Sequence, residues 1–79
     1  MIDQKIITFH TLYETMNYHE TARLLNVTQP AVTQQIKALE AEYGCKLFIY
    51  NRKCLSCTSQ AEMLEEYARS AVFNEKAIR

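Results

Sequence analysis

Pro30, Thr33, Gln34 and Lys37 recur at i, i+3, i+4 and i+7, so a helix through them brings all four to one face. That face would be polar without being strongly charged. A Gln amide can pair bidentately with the N6 and N7 edge of adenine, a Thr methyl can meet the methyl of thymine, and a Lys ammonium can reach guanine or a phosphate. Just upstream, Thr28 and Gln29 stand where that helix would begin, and the free N–H groups and positive dipole end of a helix start favour a phosphate. Arg52 and Lys53 are adjacent cations in a polar break, suited to a minor groove or its flanking phosphates. Each has a plainer reading: helix surface in water for Thr33, Gln34 and Gln35, a helix cap for Thr28, a solubilising loop for Arg52 and Lys53.

The thiols offer a different chemistry. Cys54 and Cys57 form a C-x-x-C, but a closed zinc site needs four N or S ligands, and only Cys45 is near in sequence, with His10 and His19 far up the chain. Thioredoxin-like exchange would need a βαβ frame. Three cysteines are an odd number in a chain without a secretion signal, which argues for reduced packing or surface thiols. No metal or cofactor is expected. Nor is an enzyme, since the sequence has no Gly-rich phosphate loop, no H-E-x-x-H and no motif around a Ser/His/Asp set.

A chain of 79 residues supplies one hydrophobic core, and with 48% apolar and 23% charged residues it should fold. One Gly and one Pro leave too little turn chemistry for an all-β sandwich or barrel, so the chain should be mainly helical. No apolar run approaches the roughly 18 residues of a membrane span, and MIDQKIITFH lacks a leader's basic and apolar regions. A soluble, cytoplasmic protein without a membrane partner is expected. The formal charge is zero, yet residues 1–22 carry −2, residues 23–57 carry +3 and residues 58–79 carry −1. The basic segment is the one that holds the candidate DNA contacts.

Helical spacing of Ile6, Phe9, Tyr13 and Met16 predicts a first helix within residues 3–16, interrupted at Asn17. Tyr18, Ala22 and Leu25 predict a short second helix ended by a left-handed Asn26. Thr28 caps a third, with Pro30 in its first turn, Val32, Ile36, Leu39 and Tyr43 along its apolar face, and Gly44 just past its end. Residues 46–50 and 54–57 read as two short strands around Asn51-Arg52-Lys53. Thr58 then caps a last helix over residues 59–79, with Ala61, Leu64, Ala68, Ala71 and Ile78 in one seam and Met63 and Tyr67 beside it. Ile6, Phe9, Ala22, Leu25, Val27, Val32, Ile36, Leu39, Leu47 and Phe48 are the expected core. The order is that of a winged helix-turn-helix, three helices plus a small β-hairpin wing, over residues 1–57, followed by a long linker or dimerisation helix over residues 58–79.

The last helix is longer than the small core needs, and its seam would expose apolar surface in a monomer. A two-fold dimer through Leu64, Tyr67, Ala68 and Ala71 is therefore expected, because paired recognition helices can enter successive major grooves. The alternative is that the helix folds back on helix 1 of its own chain.

The run from Ala22 to Glu40, A-R-L-L-N-V-T-Q-P-A-V-T-Q-Q-I-K-A-L-E, followed by Gly44 and Leu47-Phe48, closely resembles the DNA-binding domain of LysR-type transcriptional regulators. That family's signature includes V-S/T-Q-P-A-V-S/T-x-Q-I-x-x-L-E and then G-x-x-L-F at this separation. The resemblance covers nearly the whole chain and implies double-stranded DNA as partner, at an interrupted palindromic operator. It also implies a homodimer that can pair into a tetramer in the full-length protein, with the last helix packed antiparallel on its mate. An effector ligand would bind a C-terminal domain that these residues do not include. The family usually has Arg two residues after its Leu-Phe pair, where this chain has Tyr50; Arg52 and Lys53 could take over that phosphate contact. Ala61 stands where Gly is frequent, and His19 where Thr or Ser often caps helix 2. Two rivals remain: a winged helix used only for protein contacts, and a thiol-based redox or metal sensor in the wing. Salt-dependent duplex binding separates the first, thiol titration and metal analysis the second.

Overall fold

The computed structural model describes residues 3–78, with side chains through residue 71. It contains α1 (Gln4–Thr15), α2 (Tyr18–Leu25), α3 (Gln29–Tyr43), β1 (Phe48–Asn51), β2 (Cys54–Cys57) and α4 (Ser59–Ile78). The expected mainly helical winged helix-turn-helix is the fold observed. The end of the last helix at residue 79 and the Ile78 side chain lie outside what is described.

Every helix start is closed by a side chain. Asp3 accepts from the Lys5 amide at 2.8 Å, Asn17 from Glu20 at 2.8 Å, Thr28 from Ala31 at 3.3 Å and Thr58 from Ala61 at 3.1 Å. The α2 cap is thus Asn17, two residues before the expected position of His19, because left-handed Met16 turns the chain sharply between α1 and α2. At the far end of α2, Asn26 is left-handed and the Val27 amide donates back to the Ala22 carbonyl at 3.0 Å. Gly44 ends α3 in the same way at φ 66°, with the Cys45 amide on the Glu40 carbonyl at 3.2 Å.

The core gathers around α1, where Phe9 and Leu12 are fully buried. They belong to one apolar cluster with Ala22 of α2, Val32, Ile36 and Leu39 of α3, Leu47, Phe48 of the wing, and Ala61 and Ala68 of α4. Phe9 and Phe48 meet with ring centroids 5.5 Å apart and tilted, a favourable aromatic geometry. Buried hydroxyls are satisfied between elements, Thr8 by Gln35 and Thr21 by Thr15 at 2.7 Å. Two expected core positions are corrected: Val27 is 41% exposed because it lies in the turn beyond α2, and Leu25 is half-buried. Tyr43, expected along the apolar face of α3, is 53% exposed at the last position of that helix.

The wing is an antiparallel pair in the register Phe48↔Cys57, Ile49↔Ser56, Tyr50↔Leu55 and Asn51↔Cys54. Its first strand starts at Phe48, later than the expected residue 46, because residues 46 and 47 bond elsewhere. The Glu40 carboxylate accepts from the Leu47 and Phe48 amides at 2.8 and 3.3 Å, the Lys46 carbonyl from the Thr58 hydroxyl, and the Leu47 carbonyl from the Thr58 amide. Arg52 and Lys53 form the two-residue turn, both left-handed at φ 54° and 67°. This is the twist that a two-residue hairpin demands and that Asn-Gly normally supplies.

Packing also decides which way α4 faces. Ala61 and Ala68 are completely buried and Glu65 between them is 5% exposed, so this stripe lies against α1 of the same chain. Ala68 is therefore unavailable to a partner helix, a correction to the expected dimer seam. The first half of α4 belongs to the same core as the winged helix, so the packing shows no division at residue 57. Leu64 and Ala71 are half-buried, while Met63 is 73% and Tyr67 62% exposed.

Candidate nucleic-acid interface

With Val32, Ile36 and Leu39 holding α3 to the core, its other face carries Pro30, Gln34 and Lys37, all exposed, with half-buried Thr33 beside them. Thr28 and Gln29, also exposed, open the helix, and Pro30 sits in the first turn, where a missing N–H costs no helix bond. Gln35 turns the other way and accepts from the Thr8 hydroxyl of α1. It is an anchor that holds the helix in place, which frees Gln34 to face outward.

At the wing tip Arg52 and Lys53 are exposed and stand on consecutive left-handed residues. For L side chains this conformation costs roughly 1 kcal/mol or more per residue. The hairpin offsets that cost through Phe48 in the core and the Glu40 carboxylate on the backbone of its first strand. The result is an arm anchored at its base with two cations at its end.

Between α3 and the wing runs a groove of about 300 Å³, lined among others by Thr33 and Lys37 from the helix and by Lys46 and Tyr50 from the wing side. Tyr18, at the start of α2, forms its end and stacks on Tyr50 with centroids 6.2 Å apart and ring planes 23° from parallel. Partial burial, with Tyr50 and Glu40 nearby, raises the Tyr18 phenol above its ordinary range, so it keeps its proton and can donate. Gln29 also reaches the groove, and its amide nitrogen lies 3.2 Å from His19 Nδ1.

The structure thus brings Thr28, Gln29, Pro30, Thr33, Gln34 and Lys37 onto α3, with Arg52 and Lys53 on the adjoining arm. Residue-by-residue reading missed four further side chains at the same surface: Tyr18, His19, Lys46 and Tyr50. Lys46 could have been found from its place in the basic middle segment. The two tyrosines read as apolar helix and strand positions, and only the tertiary fold brings them together.

The cysteines do not line this groove. All three are free, Cys54 exposed and Cys45 and Cys57 half-buried, and among the described residues no group of three His, Cys, Asp or Glu has metal-binding geometry. Among the described residues no helix is long and apolar enough to cross a membrane.

Residues 4–62 match the sequence profile of the bacterial regulatory helix-turn-helix proteins of the lysR family. The chain is 39% identical over 69 residues to the HTH-type transcriptional regulator YwqM of Bacillus subtilis (strain 168), an alignment covering 87% of this chain and 24% of that protein. To the regulator AlsR of the same organism it is 34% identical over 64 residues, covering 81% of this chain and 21% of the relative. The chain spans about a quarter of the length of the curated relatives it matches. Among solved structures, a LysR-family transcriptional regulator from Eggerthella lenta DSM 2243 superposes with TM-score 0.80 at 45% identity, covering 85% of this chain and 96% of that one. The BenM DBD, in its complex with catB site 1 DNA, gives TM-score 0.89 at 23% identity and covers 99% of this chain and 88% of that one, a likeness of fold.

Proposed function

This chain belongs to the lysR family of bacterial helix-turn-helix regulatory proteins, and on that premise we propose that it binds duplex DNA as the operator-reading head of a transcriptional regulator in the bacterial cytoplasm. The observation that carries the reading is the joint presentation of a polar helix face and a cationic arm. Gln34 and Lys37 are exposed on the side of α3 opposite its buried Val32, Ile36 and Leu39, and Arg52 and Lys53 project from a hairpin beside that helix. Helix α3 lies in the major groove, where Gln34 and Thr33 read base edges, Lys37 reaches guanine or phosphate, and the start of the helix, with Thr28, Gln29 and Pro30, abuts the backbone. The wing reaches the neighbouring minor groove with Arg52 and Lys53. That DNA complexes are solved for the BenM DBD, whose fold this chain shares, supports the same use of the surface.

Residues 58–79 serve as the linker and dimerisation helix, and a second copy of the chain covers its outer side. With Ala68 committed to the core, the surface for that copy is Met63 and Tyr67, with Leu64 and Ala71 at its edge. Two exposed large apolar side chains one helical turn apart are the feature that supports it. Two heads held by a two-fold axis meet an interrupted palindrome.

The test is fluorescence anisotropy on labelled duplex DNA across a salt series. Affinity should fall steeply as salt rises, and Arg52→Ala should flatten the log–log slope by about one unit. Salt-independent affinity would refute DNA binding.

A further inference from the structure

We propose that the groove between α3 and the wing is a seat for one backbone phosphate, held by Lys46 and the Tyr50 hydroxyl and kept at fixed width by the stack of Tyr18 on Tyr50. The inference rests on the DNA-binding reading and adds to it a contact, a positioning residue and a reason for the spacing of helix and wing. If α3 occupies a major groove and the wing the adjoining minor groove, the strand that separates those two grooves must pass between the two elements. What lies between them is this groove, so its wing-side lining, Lys46 and Tyr50, meets sugar and phosphate, while Thr33 on the helix side stays turned to the bases.

The lining suits a phosphodiester. Lys37 stands on one wall and Lys46 on the other, and among the described residues neither ammonium is within ion-pairing distance of a carboxylate in the way Lys5 is of Asp3 and Glu42. Glu40 also lines the groove, but its carboxylate accepts from the Leu47 and Phe48 amides, which lowers its competition for the lysines. The two cations leave the groove positive. Tyr50 is 67% exposed although its ring is stacked, so its position is fixed while its hydroxyl stays accessible. A phenol is a good donor to an anionic oxygen and carries no sequence preference.

Tyr18 acts through Tyr50. It belongs to the helix pair, Tyr50 to the wing, and their stack ties the outer part of β1 to the start of α2. The wing's other anchors are Leu47, Phe48 and Glu40 at its base and the partly buried Leu55 and Cys57 of β2, none of which reaches α2 through β1's outer face as the stack does. Tyr18 is therefore a positioning residue that sets the gap between base-reading helix and arm.

The experiment measures binding of the intact 79-residue chain to fluorescein-labelled duplexes, one random in sequence and one a selected operator, across a salt series. Lys46→Ala should flatten the salt slope by about 0.9 on both duplexes. Tyr50→Phe, which keeps the stack, should weaken both about fivefold. Tyr50→Ala should weaken both further. Tyr18→Ala should do harm in the parent and little more in the Tyr50→Ala background, a coupling that loss of stability alone would not produce. Thermal midpoints of the exposed-site variants Lys46→Ala and Tyr50→Phe should stay at the parent value. Lys46→Ala with the parent slope, or Tyr50→Phe with the parent affinity on both duplexes, overturns the seat and leaves DNA binding intact. A parent chain with no salt-dependent binding overturns the DNA-binding reading, and the seat with it.

Discussion

Exchanging Arg52-Lys53 for Asn-Gly should make the domain more stable and a poorer DNA binder at the same time. Both residues are left-handed, at φ 54° and 67°, and nothing at the tip buries them. A side chain with Cβ in that conformation costs about 1 kcal/mol or slightly more, a cost that Gly escapes and Asn partly escapes. The double replacement should therefore stabilise the fold by about 1 to 2 kcal/mol. For a domain of this size that is a rise in thermal midpoint of about 4 to 16 °C. If Arg52 and Lys53 each neutralise a phosphate, removing both should lower the slope of log affinity against log salt by about 1.8, which amounts to about tenfold over a fourfold change in salt. Thermal melting by circular dichroism and anisotropy on a single duplex would read both quantities from one preparation. A variant that melts no higher than the parent would refute the strain argument. One that melts higher yet binds with the parent slope would show that the tip is strained but does not touch DNA.

Gln34→Ala should cost about 1 to 3 kcal/mol on a selected operator and far less on random duplex, as measured by competition binding; equal losses would reassign Gln34 to the backbone. Tyr67→Glu, at an exposed position of α4, should give a folded monomer in sedimentation that keeps half-site affinity and loses tight binding to an interrupted palindrome; a monomeric parent with equal half-site and full-site affinities would sink the dimer. Replacing Cys54 and Cys57 by Ser should leave the melting temperature and DNA affinity nearly unchanged under reducing conditions, and stoichiometric zinc in the parent would contradict this. Burial holds the Glu65 carboxyl above its ordinary 4.5, against the pull of His10 Nδ1 at 2.8 Å and of Arg69, with Glu14 adding to the rise. The fold then keeps a proton that the unfolded chain releases, so this contribution is complete below the unfolded value and is lost as pH rises through the folded one. Denaturant titrations between about pH 4 and about pH 7 should show that decline in the parent and a flatter profile in Glu65→Gln; parallel profiles would contradict it.

The sequence was most informative where chemistry is local. Thr28 before a proline-containing helix, Gly44 after it and Asn26 between two apolar stretches each fix a backbone state by their own side chain or lack of one, and each stands where expected. Arg52 and Lys53 were legible as a polar break, but not as a strained turn, since their residue types favour no left-handed conformation. Leu12 escaped because α1 is surrounded by α2, α3 and α4, which widens its buried arc beyond the stripe marked by Ile6, Phe9, Tyr13 and Met16. Tyr18 and Tyr50 are 32 positions apart in the numbering and meet only through the packing of the wing.

The α4 seam went astray for a reason that concerns function. Close approach of two helices asks for small residues whether the second helix is the chain's own or a partner's, so Ala61 and Ala68 alone fit both arrangements. The residue that discriminates is Glu65, four positions after Ala61 and three before Ala68, and an apolar pattern passes over it because it is charged. Buried at 5% exposure, it bonds His10 of α1 through one oxygen while the other has no partner among the described residues. A carboxylate in that state would be costly between two copies of a helix, where nothing on α4 itself answers it, and is tolerable against α1, which supplies the imidazole. The charge thereby assigns the Ala61–Glu65–Ala68 stripe to the chain's own core and leaves Met63 and Tyr67 for a partner. Because α4 is clamped to α1, and α1 through Thr8 and Gln35 to α3, a second copy docked on Met63 and Tyr67 would fix the direction of the recognition helix as well as its distance from its mate. The spacing of operator half-sites would then be set by a rigid chain of contacts from Tyr67 to Gln34, and Glu65→Gln or Thr8→Val should loosen the preference for one half-site spacing before either abolishes binding to a single half-site.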